Sequence, residues 1–239
     1  MEWIGITGKL YQLCHWVMKL LIVNLIWIGF NFPVVYSALA TLDVRTIDEL
    51  YLILFTMIAL LPFILFPATA AMFALVRRAV IHRIQDQLFR TFWRFYRQNY
   101  LQSMTGGIIF TIIWGIWLVN YQLLNAEIGS GLFYIYLLLT VFLLAFTSYF
   151  VADIVHVHLN VWASLKKACM ISLAFPHYTI ASIGVSTAAL YILYQIHPLF
   201  FILYSGIVPT VIVFLSYYLI VLRASKMMQA NMEAKKAFF

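Results

Sequence analysis

The chain of 239 residues is 65% hydrophobic and 18% aromatic, and only 10% of its residues are charged, whereas a soluble domain carries about 25% charged residues. This composition excludes a soluble globular protein. The formal net charge of +7 does not indicate nucleic acid as a partner, because the basic residues lie between apolar runs, where anionic lipid headgroups are the nearer ligand.

Six apolar stretches follow one another along the chain, and each has roughly the 20 residues with which a helix crosses a hydrocarbon core. Backbone amides in lipid must be satisfied within helices or closed barrels, and these runs are too long for barrel strands. We therefore predict an all-α, polytopic transmembrane bundle that forms a single integral membrane domain over residues 1–239. The predicted spans are residues 17–39, 51–76, 104–124, 132–151, 170–194 and 200–222.

The first run ends in Ala-Leu-Ala at residues 38–40, which resembles a signal-peptidase site. A cleaved signal peptide is the alternative interpretation. The run is longer than a usual signal core and contains Asn24, Asn31 and Pro33, so we expect the first span to be retained. Asn24 is expected to hydrogen-bond across helices, with substrate binding as the alternative role.

The second run contains Pro62 and Pro67, the latter followed by Ala-Thr-Ala-Ala. Each proline removes a backbone donor and crowds the carbonyl one turn back, so the helix should bend. The small residues should let another helix approach closely. A structural kink is the first interpretation, and a hinge or a pore-lining break is the alternative.

Residues 83–100 should form an amphipathic helix between spans two and three. At about 100° per residue, one face carries four arginines and the opposite face is largely aromatic. We predict that this helix lies flat at the cytoplasmic interface and meets anionic headgroups or a cytoplasmic partner. The four arginines are Arg83, Arg90, Arg94 and Arg97.

The third span carries small residues at four-residue spacing, which suits close helix packing in lipid. The stripe consists of Ser103, Gly107, Thr111 and Gly115. Packing within the chain is the first interpretation, and self-association into a homo-oligomer is the alternative.

Polar groups are otherwise scarce in the spans. Asn120 joins Asn24 and Asn31, and no Asp, Glu, Lys or Arg falls at a predicted membrane centre. Ion-coupled carriers and intramembrane proteases usually need such a group.

At the end of span four, Asp153, His156 and Asn160 would share a face of a continuous helix, whereas His158 would point away. We interpret this cluster as interfacial hydrogen bonding. No nucleotide, catalytic or metal motif is present, so we predict a protein that is not an enzyme and has no cofactor.

The basic residues fix the predicted orientation. Fourteen of them lie before span one, between spans two and three, between spans four and five, or after span six, while the other side has only Arg45 among acidic residues. By the positive-inside rule, both termini should be cytoplasmic. We expect a multi-pass protein of a bacterial cytoplasmic membrane.

Several stretches resemble the YesL family of bacterial integral membrane proteins, which share a domain of unknown function. They are residues 24–27 (NLIW), residues 66–73 (FPATAAMF) with Arg77 after them, and residues 89–100, which include Phe92-Trp93. Family members are often encoded beside carbohydrate ABC-transporter components, so the resemblance implies a link to sugar uptake. The leading hypothesis is a non-enzymatic accessory or permease-like component that works with ABC-transporter subunits. The alternative is a scaffold that binds other membrane proteins or anionic lipid and moves no solute.

Overall fold

The computed structural model describes residues 2–81, 87–128, 133–156 and 160–237. Within these ranges the protein is helical apart from short connections and contains no strand, which confirms the all-α prediction. A single 3₁₀ turn, Thr41–Asp43, and a π-helical turn, Leu61–Leu65, interrupt the described α-helices. The helices α1 to α10 are, in chain order, Glu2–Phe30, Phe32–Ala40, Ile47–Leu60, Phe66–Ile81, Leu88–Ile128, Phe133–His156, Val161–Ala174, Pro176–Ile196, Pro198–Tyr204 and Ile207–Ala237.

The helices have the length and apolarity of membrane spans, so the chain is a membrane protein. In the described part of the chain, five helical segments qualify as spans, and a sixth exists if the bent pair formed by α1 and α2 crosses the membrane as one unit. The five are Ile47–Ile81, Leu88–Leu123, Phe133–His156, Pro176–Ile196 and Ile207–Met227.

The first predicted span, residues 17–39, is not one straight helix. α1 ends at Phe30, and the two segments Cys14–Phe30 and Phe32–Asp43 meet at 72°. Pro33 explains the break, because it has no N–H to donate and its ring crowds the carbonyl one turn back. Asn31 supplies two hydrogen bonds at the break, since its backbone N–H and its side-chain Nδ2 both donate to the carbonyl of Trp27, at 3.0 and 2.8 Å.

Two later spans also begin at breaks that hydropathy did not reveal. Residues 170–174 belong to α7, and the fifth span starts only at Pro176, because the residue before a proline is disfavoured in helical conformation. The sixth predicted span is divided at Ser205 and Gly206, so that α9 ends at Tyr204 and α10 starts at Ile207. The boundaries predicted for these spans are therefore wrong at their N-terminal ends.

The helix α4 lies at the centre of the bundle and packs against α1, α5, α6 and α10. Its residues from Phe66 to Val76 are almost all buried, and Ala68, Ala70 and Ala71 have no exposed surface. The indole N–H of Trp27 donates to Thr69 Oγ1 at 3.3 Å, which ties α1 to this helix. Small side chains thus let four neighbours reach one central helix, as lipid-embedded packing requires.

The predicted interfacial helix is not a separate element. From Leu88 onward it belongs to α5, which has 41 residues and continues into the third span without a break. A helix of this length extends over about 60 Å, about twice the thickness of a hydrocarbon core. A segment that is continuous with a span cannot lie flat on the membrane while the span crosses it, so the prediction of a flat interfacial helix is wrong for these residues.

Candidate functional site

One end of the bundle is rich in arginine, and we call it the arginine end. Arg77 and Arg78 lie at the end of α4, and three exposed arginines lie near the start of α5. These three form the arginine ridge, and they share one helix face through steps of four and three residues. The ridge consists of Arg90, Arg94 and Arg97; Arg83 lies outside the described residues.

A cavity of about 370 Å³ opens between α4 and α5 at this end. We call it the arginine cavity. The side chains of Arg77, Arg78 and Arg94 line it together with Gln98 and Asn99, and its apolar wall includes Ala74 and Phe95. Neither Asp nor Glu is present among the described residues that line it. The sequence pattern did not reveal this cavity, because Arg77 and Arg78 meet Arg94 only after α4 and α5 have packed together.

Arg77 also anchors the end of α6. Its Nη1 donates a hydrogen bond of 2.7 Å to the backbone carbonyl of Val155, one residue before that helix ends at His156. The last carbonyls of a helix have no partner within the helix, and a cation near them is favourable. The bond therefore stabilises α6 and holds the Arg77 guanidinium at the edge of the cavity.

The aromatic face of the N-terminal part of α5 packs partly on protein. The ring of Phe30 in α1 lies 4.8 Å from the ring of Phe92 and 5.1 Å from that of Tyr96, measured between centroids. Phe92 has no exposed surface, while Phe89 and Trp93 remain about half exposed or more. The sequence predicted that this largely aromatic helix lies flat at the membrane interface, but α1 covers part of its aromatic face.

A buried ion pair links three helices close to the arginine end. Asp153 of α6 has no exposed surface, and its Oδ1 lies 2.5 Å from the ammonium of Lys167 in α7. The hydroxyl of Tyr217 in α10 donates to the same oxygen at 2.5 Å. Two donors thus compensate one carboxylate oxygen that burial would otherwise destabilise. No local sequence pattern signals this pair, because Lys167 lies 14 residues further along the chain, on another helix.

The polar cluster predicted at the end of span four is not on one helix face. α6 ends at His156, and Asn160 precedes the first residue of α7 with extended backbone, so the prediction of a continuous helix through these residues is wrong. His158 lies outside the described residues. Three buried atoms in this region have no protein partner among the described residues: Asp153 Oδ2, His156 Nδ1 and Ser164 Oγ. Buried atoms of this kind are commonly satisfied by water.

The π-helical turn of the second span, which contains Pro62, packs against a glycine of the third span. Pro62 lies in the π-helical turn that separates α3 from α4. Regular α-helix resumes at Phe66, just before Pro67. A methyl group added at Gly107 would lie 2.9 Å from the Pro62 Cα. The close approach predicted for the small-residue stripe therefore occurs within the chain at Gly107.

The small-residue stripe makes no comparably close helix contact beyond Gly107. Ser103 is fully buried and donates to the carbonyl of Asn99 at 2.7 Å, but Thr111 is only partly buried and its hydroxyl has no partner among the described residues. A methyl group at Gly115 would meet no atom within 4 Å. Among the described glycines Gly106 is the most tightly packed, since a methyl group there would collide with the ring of Phe150, and it lies outside the four-residue pattern.

The three intramembrane asparagines have different surroundings. Asn24 has no exposed surface, donates to the carbonyl of Ile202 at 3.1 Å, and accepts from the backbone N–H groups of Gly206 and Ile207 at 3.0 and 3.1 Å. It thereby satisfies the unpaired amides at the start of α10. Asn31 is buried at the break of the first span, and exposed Asn120 donates to the Ile116 carbonyl of its own helix.

Comparison with known proteins confirms the family resemblance. Residues 20–121 match the family model described as "Protein of unknown function, DUF624", a family that includes YesL-like membrane proteins. The chain is also 24% identical over 199 residues to the uncharacterized protein YteU of Bacillus subtilis (strain 168), an alignment that covers 81% of this chain and 77% of YteU. No solved structure matches the chain significantly. The matched family segment contains the central helix α4, Arg77 and Arg78, and the whole arginine ridge.

Proposed function

We propose that this membrane protein is a non-enzymatic accessory component of a carbohydrate transport system, and that its arginine ridge binds an acidic surface of a cytoplasmic ATPase subunit. The link to carbohydrate comes from the family resemblance. The observation that carries the docking role is the position of the ridge. It is exposed and lies at the start of a 41-residue helix that is longer than a membrane is thick.

The rigidity of this helix supports docking. The ridge is part of the helix that forms the third span, and α1 and α4 pack against that helix. A partner bound to the ridge would therefore be mechanically connected to the membrane bundle without a flexible linker. Arginine suits such a surface because its planar guanidinium pairs with carboxylates through two parallel hydrogen bonds.

Tight packing in the bundle centre supports an accessory role over a solute pathway through the chain itself. Gly106 contacts Phe150 of α6, and Gly107 contacts Phe66 and Pro62. These contacts leave little room between the central helices. They favour an accessory component that moves no solute by itself over a permease.

The surroundings of Asp153 support a role without catalysis. A membrane enzyme acting on lipid-linked substrates would have to use a carboxylate of this kind as acid or base. Asp153 is fully buried, and both Lys167 and Tyr217 bind its Oδ1. Its carboxylate is thus engaged in holding helices together.

Purification from native membranes tests the docking proposal. The full chain with a C-terminal affinity tag is extracted in mild detergent, and the proteins that elute with it are identified. We expect an ATPase subunit of a carbohydrate transporter in the eluate, and we expect its loss from the variant Arg90→Glu/Arg94→Glu/Arg97→Glu. The control Lys166→Glu/Arg223→Glu/Lys226→Glu makes the same charge change at positions outside the ridge. Equal recovery with both variants would contradict the proposal.

Reconstitution separates an accessory component from a transporter. Liposomes that contain the purified protein are loaded with labelled oligosaccharides, and efflux is followed with the protein alone and with the co-purified partners and ATP. The proposal predicts no flux with the protein alone. Flux through the isolated chain would show a permease.

A further inference from the structure

The arginine cavity brings together three cations for which the described residues supply no counter-charge. No described acidic residue forms an ion pair with Arg77, Arg78 or Arg94, since the ion pair found in the described chain joins Asp153 and Lys167. Arg77 and Arg78 are half-buried, so water screens them less than it screens the exposed ridge. Like charges gathered in this way repel one another, and a bound anion would relieve the repulsion.

The donors around the cavity suit an anion with several oxygens. Arg77 uses one N–H on the Val155 carbonyl, which leaves four of its five donors, and Arg78 and Arg94 add further N–H groups. A carboxylate presents two oxygens, whereas a phosphate group presents three or more and pairs with arginine in bidentate fashion. Gln98 adds an exposed amide at the rim.

The cavity also has an apolar side. Ala74, Ile81 and Phe95 form part of its wall. Its volume of about 370 Å³ lies within the range of small-molecule sites, which are mostly apolar with a few polar groups that fix orientation. A bare inorganic ion would leave the apolar wall unused. The lining is therefore suited to a phosphate attached to a carbon skeleton.

We propose that the arginine cavity is a binding site for a phosphate ester, held by Arg77, Arg78 and Arg94. Two sources offer this chemistry at a membrane surface: the headgroup of an anionic phospholipid and a soluble phosphorylated metabolite. The cavity and the ridge share Arg94, but Arg77 and Arg78 belong to the cavity alone and Arg90 and Arg97 to the ridge alone, so variants can separate phosphate binding from partner docking.

Calorimetric titration of the full-length protein in a non-ionic detergent tests the site. The lipid probe is dihexanoylphosphatidic acid, a phosphate monoester, with dihexanoylglycerol as its phosphate-free counterpart. The soluble probe is glycerol 3-phosphate, with glycerol as its counterpart. We expect at least one phosphate-bearing probe to bind while its counterpart does not. Binding of the lipid alone assigns the site to a headgroup, and binding of glycerol 3-phosphate alone assigns it to a soluble ester.

Matched variants localise the binding. Arg78→Gln/Arg94→Gln should raise the Kd about tenfold or more, because each substitution removes a charge-assisted hydrogen bond to the phosphate. Arg90→Gln/Arg97→Gln removes the same charge from the ridge and should leave the Kd within about twofold. Gln98→Glu alters an exposed side chain at the cavity rim, so it keeps the fold intact, and it should also weaken binding by adding a negative charge.

Two results would overturn the site. One is the absence of binding of both phosphate-bearing probes to the unaltered protein. The other is an equal rise in Kd for the Arg78/Arg94 and Arg90/Arg97 variants, which would show diffuse charge attraction. The docking proposal fails separately, through unchanged partner recovery when the ridge is altered, so the two failures can be told apart.

Discussion

The carboxylate of Asp153 and the ammonium of Lys167 lie 2.5 Å apart between α6 and α7, and the carboxylate belongs to a fully buried side chain. Tyr217 brings α10 to the same oxygen. One charged pair thus connects three helices beside the arginine end. Asp153, which the sequence placed in an interfacial hydrogen-bonding cluster at the end of span four, is thus paired with a cation of another helix.

Removing the cation should destabilise the bundle. Lys167→Met leaves the Asp153 charge buried without its partner, which costs about 3 kcal/mol or more and should lower the melting temperature in detergent by on the order of 5–10 °C. The adjacent Lys166 is exposed, so Lys166→Met should melt like the unaltered protein. Adding Asp153→Asn to Lys167→Met should restore part of the loss. Identical melting of the two single variants would show that the pair contributes nothing.

The packing of α5 against α6 predicts that alanine substitutions at two glycines of α5 differ in their effect on stability. A methyl group at Gly106 would collide with the ring of Phe150, which has no exposed surface, so Gly106→Ala should destabilise by about 1–3 kcal/mol. Gly115→Ala meets no atom within 4 Å and should be neutral or slightly stabilising, because alanine favours helix. Thermal melting of both variants in the same detergent measures the contrast. A Gly106→Ala protein as stable as Gly115→Ala would contradict the packing described for these helices.

Replacement of Asn24 by leucine should destabilise the protein more than the same replacement of Asn120. Asn24→Leu removes three hydrogen bonds and leaves the amides of Gly206 and Ile207 without their acceptor, at a cost of about 1–3 kcal/mol for each buried unpaired group. Asn120→Leu loses one bond to its own helix at an exposed position and should change stability little. Hydrogen exchange at the start of α10 should accelerate only in the Asn24 variant. Unchanged exchange there would argue against Asn24 as the cap of α10.

Hydropathy predicted the helical class and the approximate place of most spans, because burial in lipid requires long apolar helices. It could not locate the breaks at Asn31, Phe175 and Ser205, since each lies within or beside an apolar run. Pro33 and Pro176 were the available signals for two of them. The break at Ser205 lies four residues before Pro209, whose ring crowds the Ser205 carbonyl, and the amides that it exposes are satisfied by Asn24, 182 residues away from Gly206.

For the candidate site, too, the local sequence pattern predicts relations within one helix but not contacts between helices. The helical period correctly groups Arg90, Arg94 and Arg97 on one face, because that relation is internal to one helix. The arginine cavity and the Asp153–Lys167 pair are tertiary contacts between residues of different helices. Periodicity carries no information about such contacts.

Cysteine accessibility in intact cells tests most directly whether the arginine end faces the cytoplasm of a membrane-spanning bundle. Cys14 and Cys169 are replaced by serine, and single cysteines are placed at exposed Gln87, next to the arginine ridge, and at exposed Leu42, in the connection between α2 and α3. A membrane-impermeant maleimide should label Leu42→Cys in intact cells and label Gln87→Cys only after the membrane is permeabilised. Labelling of Gln87→Cys from outside, with Leu42→Cys protected until permeabilisation, would contradict this orientation and with it the proposed docking of a cytoplasmic partner.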